Sequence, residues 1–209
     1  MKKGILFDLD GTLWDSSATV IDSWNECIAK NTDLGLTFTQ AQMRSYMGKT
    51  LDKIGDLMFP MLPKEERMRL IGLCSAYENE YLRTHSSFIF EGEKETLAKL
   101  HEEYFLAIVS NCQDGYIQCF LDQCGFGELF DDFESAGRTG LDKSGNISLV
   151  IQRNNLGKCV YLGDTELDGE AAREAGIPFI HAGYGFGSPD SFDARISDIT
   201  ELPAALERI

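Results

Sequence analysis

Residues 4–13 of the chain read Gly4-Ile5-Leu6-Phe7-Asp8-Leu9-Asp10-Gly11-Thr12-Leu13. The apolar run from Ile5 to Phe7 is typical of a fully buried strand, and it leads into two carboxylates, Asp8 and Asp10. Residues two apart in a strand point to the same side, so both acids can reach one spot at the strand's carboxyl end. Two like charges this close repel each other unless a cation lies between them or one of them holds a proton. Either arrangement is useful for catalysis.

The same stretch also has a purely structural interpretation. Asp-Gly after an apolar strand is a common turn, and Asp or Thr often caps the next helix. In the functional interpretation, Gly11 lets the backbone turn sharply away, and Thr12 places a hydroxyl and an amide beside the acids. We favour the functional interpretation because three other strand ends in this chain also finish in polar residues.

The bulk composition excludes several function classes. A chain of 209 residues suggests one domain, or one domain with an insertion. Its 19 basic and 34 acidic residues give a net charge of -15, which disfavours nucleic acid and anionic membranes as partners because both bind through basic patches. No apolar run approaches the length of a membrane span, and no signal-peptide core follows the first residues. We therefore expect a cytoplasmic monomer or homodimer with no nucleic-acid or membrane partner.

The six cysteines and three histidines do not have the spacing of a metal site. No Cys-x-x-Cys pair occurs, so reduced and mostly buried thiols are favoured over disulfides or zinc. The histidines are expected to be structural or solvated.

From about residue 16 to residue 85 the pattern is helical throughout. Ser16 or Ser17 can cap a first helix, Thr39 can cap a second, and a third follows. A long fourth helix is indicated by apolar residues at steps of three and four over residues 70–81. No segment in this range has a convincing strand pattern.

The remainder of the chain alternates strands with helices. Apolar runs indicate strands at residues 105–109, 130–133, 159–162 and from Pro178 onward. This alternation argues for a parallel sheet covered on both faces, in which ligands bind outside the carboxyl ends of the strands. We therefore predict an α/β core formed by residues 1–15 and 86–209, with residues 16–85 inserted as a helical domain.

Polar residues follow the later strands too. Ser110 and Asn111 end one strand, Asp164 ends another, and Asp168 lies one helical turn after Asp164. Each has a structural alternative, namely a strand-end turn, an N-cap and a first-turn acid favoured by the helix dipole. Collected at one sheet edge with the N-terminal acids, however, they form an acidic pocket of oxygen ligands suited to Mg²⁺.

Such a pocket would repel a phosphate unless cations offset its charge. Lys143, on the loop before a helix predicted at residues 146–155, is the candidate for this task. Its structural alternative is a solvated surface lysine. Lys158 competes with it but lies at the start of a strand, far from the carboxyl edge.

Together these motifs resemble the four ordered motifs of the haloacid dehalogenase-like (HAD) superfamily. The matching residues are Asp8-Leu9-Asp10-Gly11-Thr12-Leu13, Ser110-Asn111, Lys143 and Gly163-Asp164-Thr165-Glu166-Leu167-Asp168. Ser144 follows the lysine where many members have proline. The resemblance runs through nearly the whole chain and looks closest to phosphoglycolate phosphatase-like and β-phosphoglucomutase-like members. It implies a Rossmann-like parallel-sheet core with an inserted α-helical cap domain.

The resemblance also implies an activity, that of a Mg²⁺-dependent phosphatase acting on a small phosphorylated metabolite. Asp8 would be the nucleophile that forms an aspartyl-phosphate, and Asp10 would protonate the leaving oxygen and then take a proton from water. Mg²⁺ would be held by Asp8, the backbone carbonyl of Asp10 and Asp164, and Asp168 would support the metal directly or through water. Phosphate binding is implied for Thr12, Ser110, Asn111 and Lys143.

Two other functions fit parts of the same pattern. A sugar-phosphate mutase of the same family shares the nucleophile and the acid but returns the phosphoryl group to its substrate. A phosphoryl-sensing or binding protein would keep the aspartyl-phosphate as a signal, because receiver domains also combine an Asp pocket, Mg²⁺, Ser or Thr, and Lys. Receivers, however, lack a helical insertion of this size and do not need Asp10 as a proton donor.

The predicted cap contains two candidate substrate-binding cations, Arg44 and Lys49. They flank Gly48, which could let this segment approach a ligand closely. In a chain this acidic, two cations near one turn are candidates to attract an anionic substrate, although both can also be solvated helix-end charges. The segment from Gly183 to Gly187 lacks the ending of a phosphate-binding loop and is predicted to be a flexible loop.

Overall fold

A six-stranded parallel sheet forms the centre of the protein, which a computed structural model describes over residues 1–209. The chain has eight strands: β1 (Gly4–Phe7), β2 (Trp14–Asp15), β3 (Phe88–Ile89), β4 (Phe105–Ser110), β5 (Asp132–Ser135), β6 (Cys159–Gly163), β7 (Phe179–Ala182) and β8 (Ala194–Ile196). The sheet has the order β5-β4-β1-β6-β7-β8, with Phe7 of β1 in register with Ile108 of β4 and Leu162 of β6. Every residue of β1 and β4 is buried, as expected for parallel strands covered on both faces.

Two strand predictions need correction. The short strand expected at residues 130–133 lies at Asp132–Ser135 instead. Phe130 packs edge-on against the ring of Phe7 in the apolar core and does not pair in the ladder. The strand expected from Pro178 begins at Phe179, and a further strand, β8, follows it.

Four helices lie between the short strands β2 and β3, and a fifth precedes β4. The helices of the chain are α1 (Ser17–Asn31), α2 (Gln40–Tyr46), α3 (Leu51–Met58), α4 (Lys64–Leu82), α5 (Glu93–His101), α6 (Tyr116–Cys124), α7 (Ala136–Thr139), α8 (Lys143–Arg153), α9 (Glu166–Glu174) and α10 (Leu202–Leu206), with a 3₁₀ turn at Ile199–Glu201. The short strands β2 and β3 pair antiparallel at the two ends of the α1–α4 segment. The chain therefore leaves the sheet and returns to it at adjacent points. We call residues 16–85 the helical insert.

Some helices begin at the residues that the sequence predicts, and others do not. Thr39 caps α2 as predicted, and Gln42 completes the capping box by accepting from the Thr39 amide. Ser16 holds the N-cap position of α1, but its hydroxyl makes no capping bond, because it donates to Asp10 instead. The helix predicted from residue 146 begins at Lys143, where Asp142 caps it by accepting from the amide of Gly145 at 2.8 Å.

The two faces of the sheet are covered differently. One face shares a continuous apolar core with the helical insert, from Ile5 and Phe7 to Trp24 and Leu70. The opposite face packs against α8 and α9 in a separate, smaller core. The helical insert thus rests on the sheet through buried apolar contacts.

The helices and the cysteines each lack one feature, a membrane span and a disulfide bond respectively. No helix combines the length and the apolar composition that crossing a membrane requires. All six cysteines are free thiols, four of them buried.

Candidate active site

Three carboxylates meet at the carboxyl edge of the sheet. Asp8 follows β1, Asp164 follows β6, and Asp168 lies in the first turn of α9. Each offers an oxygen atom that lies within 4.8 Å of those of the other two, and all three side chains are buried. We call these residues the acidic cluster. It forms here because β1 and β6 are adjacent and parallel, so their carboxyl ends coincide.

Lys143 reaches into the acidic cluster from the first turn of α8. Its Nζ donates to Asp8 Oδ1 at 2.8 Å and to Asp168 Oδ1 at 2.5 Å. Burial lowers the pKa of this lysine, but the charges of Asp168 and Asp8 outweigh burial and hold its pKa well above the ordinary value. Lys143 is therefore a fixed ammonium inside the site. The prediction had placed it on a loop, and the capped helix start explains its fixed position.

Two buried oxygens of the acidic cluster have no partner in the protein, Asp8 Oδ2 and Asp164 Oδ1. An unsatisfied buried carboxylate oxygen is costly, so a ligand is expected there. The acidic cluster also sets three acidic groups against one ammonium, so the acids outnumber the positive charge available to compensate them. Burial, followed by the charges of Asp168 and Asp8, raises the pKa of Asp164 well above its usual range. Charge, orphaned oxygens and the all-oxygen donor set together fit a hard divalent cation.

Asp168 is held more tightly than its two partners in the cluster. Its Oδ2 accepts from the Asp164 amide at 3.2 Å, and from the amide and hydroxyl of Thr165 at 2.9 and 2.6 Å. Its Oδ1 accepts from Lys143. Since both oxygens are engaged by the protein, the geometry assigns Asp168 to orienting Lys143 and the Asp164 backbone.

The Asp10 side chain lies outside the acidic cluster, and the metal contact predicted for Asp10 is one through its backbone carbonyl. Its Oδ1 accepts three hydrogen bonds: from Trp14 Nε1 at 2.9 Å, Ser16 Oγ at 2.7 Å and the Tyr116 hydroxyl at 2.8 Å. Burial raises its pKa, and these hydrogen bonds oppose that effect without cancelling it. Because all three donors reach one oxygen, Oδ2 is the atom through which Asp10 can exchange a proton.

The predicted phosphate-binding residues lie around these acids. Ser110 Oγ accepts from the Cys112 amide at 3.4 Å, and Asn111 Nδ2 donates to the carbonyl of Gly48 at 2.9 Å. The hydroxyl of Thr12 is buried and has no partner, while its carbonyl accepts from Tyr184. Asn111 thereby connects the sheet edge to the helical insert.

A small cavity lies between the sheet edge and the helical insert. Its volume is about 40 Å³, and its walls include Asp8, Asp10, Ser110 and Asn111 from the sheet side. The apolar wall comes from the insert and consists of Val20, Trp24, Met43, Met47, Leu51 and Ile54. The site is thus covered, and a ligand on the acids would contact the insert.

The two predicted cations of the insert have different positions. Lys49 lines the cavity, with its Nζ donating to the Ser45 carbonyl at 2.8 Å. Arg44 does not line it: its guanidinium pairs with Asp15 at 2.5 Å, donates to Ser17 at 3.2 Å and lies 5.7 Å from the centre of the Phe186 ring. Arg44 therefore joins α2 to Asp15 and to the start of α1.

The glycine-rich segment has a role that the sequence analysis missed. The amides of Phe186 and Gly187 donate to Asp164 Oδ2 at 2.6 and 3.3 Å. A Cβ at Gly185 would come within 2.3 Å of Asp164 Cβ and 2.5 Å of the Gly11 carbonyl. Glycine at every second position is the signal that could have indicated this close approach, because only glycine leaves room for it. The segment is a backbone cradle for Asp164.

Comparison with known proteins agrees with this geometry. Residues 5–182 match the family model of the haloacid dehalogenase-like hydrolases. A phosphoglycolate phosphatase of Xanthomonas campestris is 28% identical over 98% of this chain and 94% of its own, and one of Synechococcus elongatus is 28% identical over 98% and 95%.

Solved structures share the fold at lower sequence identity. A predicted phosphoglycolate phosphatase from Haemophilus somnus superposes with a TM-score of 0.83 at 23% identity, covering 98% of both chains. A β-phosphoglucomutase from Clostridium difficile superposes with a TM-score of 0.80 at 17% identity, covering 100% of this chain and 97% of its own. The family model spans most of the chain, and the strand ends carry the residues on which the family resemblance rests. The chain therefore belongs to the haloacid dehalogenase-like hydrolase family.

Proposed function

We propose that this phosphatase hydrolyses a small phosphomonoester with the aid of Mg²⁺, through an aspartyl-phosphate on Asp8. One observation carries the proposal: Lys143 holds one oxygen of Asp8, and the other oxygen is buried without a partner. A carboxylate fixed in this way can present its free oxygen to phosphorus. Phosphate esters hydrolyse extremely slowly in water, so positioning and charge neutralisation must supply most of the acceleration.

The two aspartates divide the chemistry. As Asp8 attacks, a bond forms between its oxygen and phosphorus, the ester P–O bond breaks, and Asp10 gives its proton to the leaving oxygen. In the second half, water attacks the same phosphorus, Asp10 takes the water's proton, and Asp8 is released together with inorganic phosphate. The raised pKa of Asp10 suits the first half because it favours the protonated form, which donates to the leaving oxygen.

Mg²⁺ fits the donor set at the acidic cluster. Asp8, Asp164 and the backbone carbonyl of Asp10 would hold it, with Asp168 supporting them. The ion, when bound, neutralises charge on the phosphoryl oxygens. Ser110, Asn111, Lys143 and the Thr12 hydroxyl are the groups that would hold the phosphate. Lys49, at the cavity wall, is the proposed cation from the insert.

We further propose that the helical insert, residues 16–85, acts as a cap over a core formed by residues 1–15 and 86–209. The cavity between insert and core supports this role, since a substrate there is shielded from water. The phosphoglycolate phosphatase relatives bring 2-phosphoglycolate into the set of candidate substrates. A sugar-phosphate mutase is the second candidate, supported by the fold shared with a β-phosphoglucomutase, but a cavity of about 40 Å³ favours an organic part smaller than a sugar ring.

The proposal is tested with Asp8→Asn, which keeps the shape of the side chain and removes the nucleophile. Wild type should hydrolyse a small aryl phosphate with Mg²⁺, whereas Asp8→Asn should lose at least about a thousandfold in kcat. Acid-quenched wild type should also carry a phosphoryl group on the peptide that contains Asp8. Asp33→Asn, at an exposed position of the insert, is the matched control. Retention of most activity by Asp8→Asn would refute the covalent mechanism, and release of no phosphate by wild type would favour a sensor.

A further inference from the structure

One buried acid of the helical insert has no part in the chemistry described above. Glu78 of α4 is 3% exposed, and its Oε2 accepts from Trp24 Nε1 on α1. It lines the same cavity as Asp8 and Asp10. A buried carboxylate is costly unless it is paired with a cation, and the partner of this one is a neutral indole.

The charges around the cavity add to this cost. Its walls contain three acids, Asp8, Asp10 and Glu78, and one basic residue, Lys49. The Lys49 ammonium already donates to the Ser45 carbonyl. A divalent cation and Lys143 would compensate the charge beside Asp8, but Glu78 comes from α4 of the helical insert, which supplies the wall that the organic part of a substrate would meet.

We propose that Glu78 determines specificity by selecting phosphomonoesters whose short organic part carries a hydroxyl or an ammonium group over those that carry a carboxylate. A hydroxyl or an ammonium can donate to Glu78, whereas a carboxylate would add a fourth acid to the cavity. This inference rests on the proposed phosphatase function. It predicts that the chain prefers a substrate other than the phosphoglycolate in the names of its relatives.

The size of the cavity sets the length of the organic part. One water molecule needs roughly 10–15 Å³ of cavity volume. A cavity of about 40 Å³ therefore has room for about three waters. This space accepts an organic part of about three non-hydrogen atoms beyond the ester oxygen. A two-carbon chain with one terminal functional group meets this limit.

Four substrates with one skeleton test the proposal. They are ethyl phosphate, 2-hydroxyethyl phosphate, 2-aminoethyl phosphate and 2-phosphoglycolate, which share two carbons and differ in the group at the second carbon. The carboxylate of 2-phosphoglycolate has one non-hydrogen atom more than the hydroxyl or ammonium substrate, and Glu78→Gln leaves this size difference unchanged. Burial raises the pKa of Glu78 to about 8, so phosphate release is measured above that pH, where Glu78 is ionised. For wild type, kcat/KM for the hydroxyl or the ammonium substrate should exceed that for 2-phosphoglycolate by at least about tenfold. Comparing kcat/KM for 2-hydroxyethyl phosphate with that for 2-aminoethyl phosphate identifies whether the site takes a hydroxyl or an ammonium donor.

Two variants assign the preference to one side chain. Glu78→Gln keeps the shape of the side chain and an acceptor for Trp24. It should lower the ratio of kcat/KM for the hydroxyl or ammonium substrate to kcat/KM for 2-phosphoglycolate at least about tenfold. Glu80→Gln, on the exposed side of the same helix, should keep the wild-type ratio. A structural role for Glu78 would lower thermal stability without changing the ratio.

Each outcome decides the question. Preference of wild type for 2-phosphoglycolate, or equal ratios in Glu78→Gln and Glu80→Gln, would overturn the inference while leaving the phosphatase intact. Failure to release phosphate from any of the four substrates or from a small aryl phosphate would instead overturn the proposed function.

Discussion

Asp8 and Asp10 stand two residues apart on one strand end, and their partners make them chemically different. Asp8 contacts a cation, Lys143, whereas Asp10 accepts only from neutral donors. Burial and the charge of Asp168 raise the pKa of Asp8 to about 7, and a divalent cation at the orphaned oxygens would lower it again. Burial also raises the pKa of Asp10, and its three neutral donors lower that pKa only in part. Environment, and not residue type, thus distinguishes the proposed nucleophile from the proposed acid.

The residue Tyr116 offers a test of the acid role. Its hydroxyl stabilises the ionised form of Asp10, so Tyr116→Phe should raise the pKa of Asp10 further. Because Asp10 must be protonated to donate, the alkaline limb of the kcat/KM profile should move upward by about one pH unit. Tyr104→Phe, at a half-buried position beside Lys3, is the control. An alkaline limb identical in both variants would argue against Asp10 as the acid.

At the scale of elements, the site depends on how strand ends and loops approach one another. Parallel β1 and β6 bring Asp8 and Asp164 together, and the start of α8 directs Lys143 between them. The cradle around Asp164, residues 183–187, follows β7. It contacts Asp164 through the backbone amides of Phe186 and Gly187. An element without catalytic side chains therefore shapes the proposed metal site.

Gly185→Ala tests the cradle. The added methyl group would overlap Asp164 and the Gly11 carbonyl, so the loop must shift and its amides must leave Asp164. We expect the Mg²⁺ concentration that gives half-maximal activity to rise about 10- to 100-fold. Gly127→Ala, where no atom lies within 4 Å of the added Cβ, is the matched control. If both variants need the same Mg²⁺ concentration, the cradle does not tune the metal site.

At the scale of the whole molecule, buried acids couple the fold to pH. Burial is the largest cause in each case, raising the pKa of Asp8 to about 7, of Glu78 to about 8 and of Glu93 to about 9. Between the ordinary carboxyl pKa and these values, the folded protein binds more protons than the unfolded chain. The stabilisation that these protonated acids give the folded protein is therefore fully present below their pKa in the unfolded chain. It is lost as the pH rises through their pKa in the folded protein.

Metal-free protein should accordingly lose thermal stability as the pH rises from about 5 to about 9. Mg²⁺ should raise Tm most at the upper end of this range, where the cluster is ionised and can bind it. Thermal unfolding with a chelator and with Mg²⁺ measures both effects. Glu93→Gln, outside the acidic cluster, should flatten the pH dependence and leave the Mg²⁺ response unchanged. A Tm that stays constant or rises with pH in the chelator would contradict this account.

Local sequence determined the elements and much of the site. The apolar strand before Asp8 and Asp10 and the cap at Thr39 appear where the pattern predicts them. The alternation of strands with helices also holds, although β5 and α8 begin at other residues than predicted. Periodicity and capping are short-range properties of the backbone, so a few neighbouring residues suffice to specify them. Because parallel strands end at one edge, the pattern also indicated that Asp8 and Asp164 would meet.

The tertiary structure decided the contacts that complete the site. Lys143 meets Asp8 across 135 residues, and Tyr116 meets Asp10 across 106. Lys143 was predicted from its motif, whereas nothing local indicated Tyr116, and both contacts depend on how α8 and α6 pack on the sheet. The same holds for Arg44, which packing directs to Asp15, and for Glu78, which packing brings to the cavity wall. Contacts between distant residues follow from the summed packing of the whole chain, which no short stretch contains.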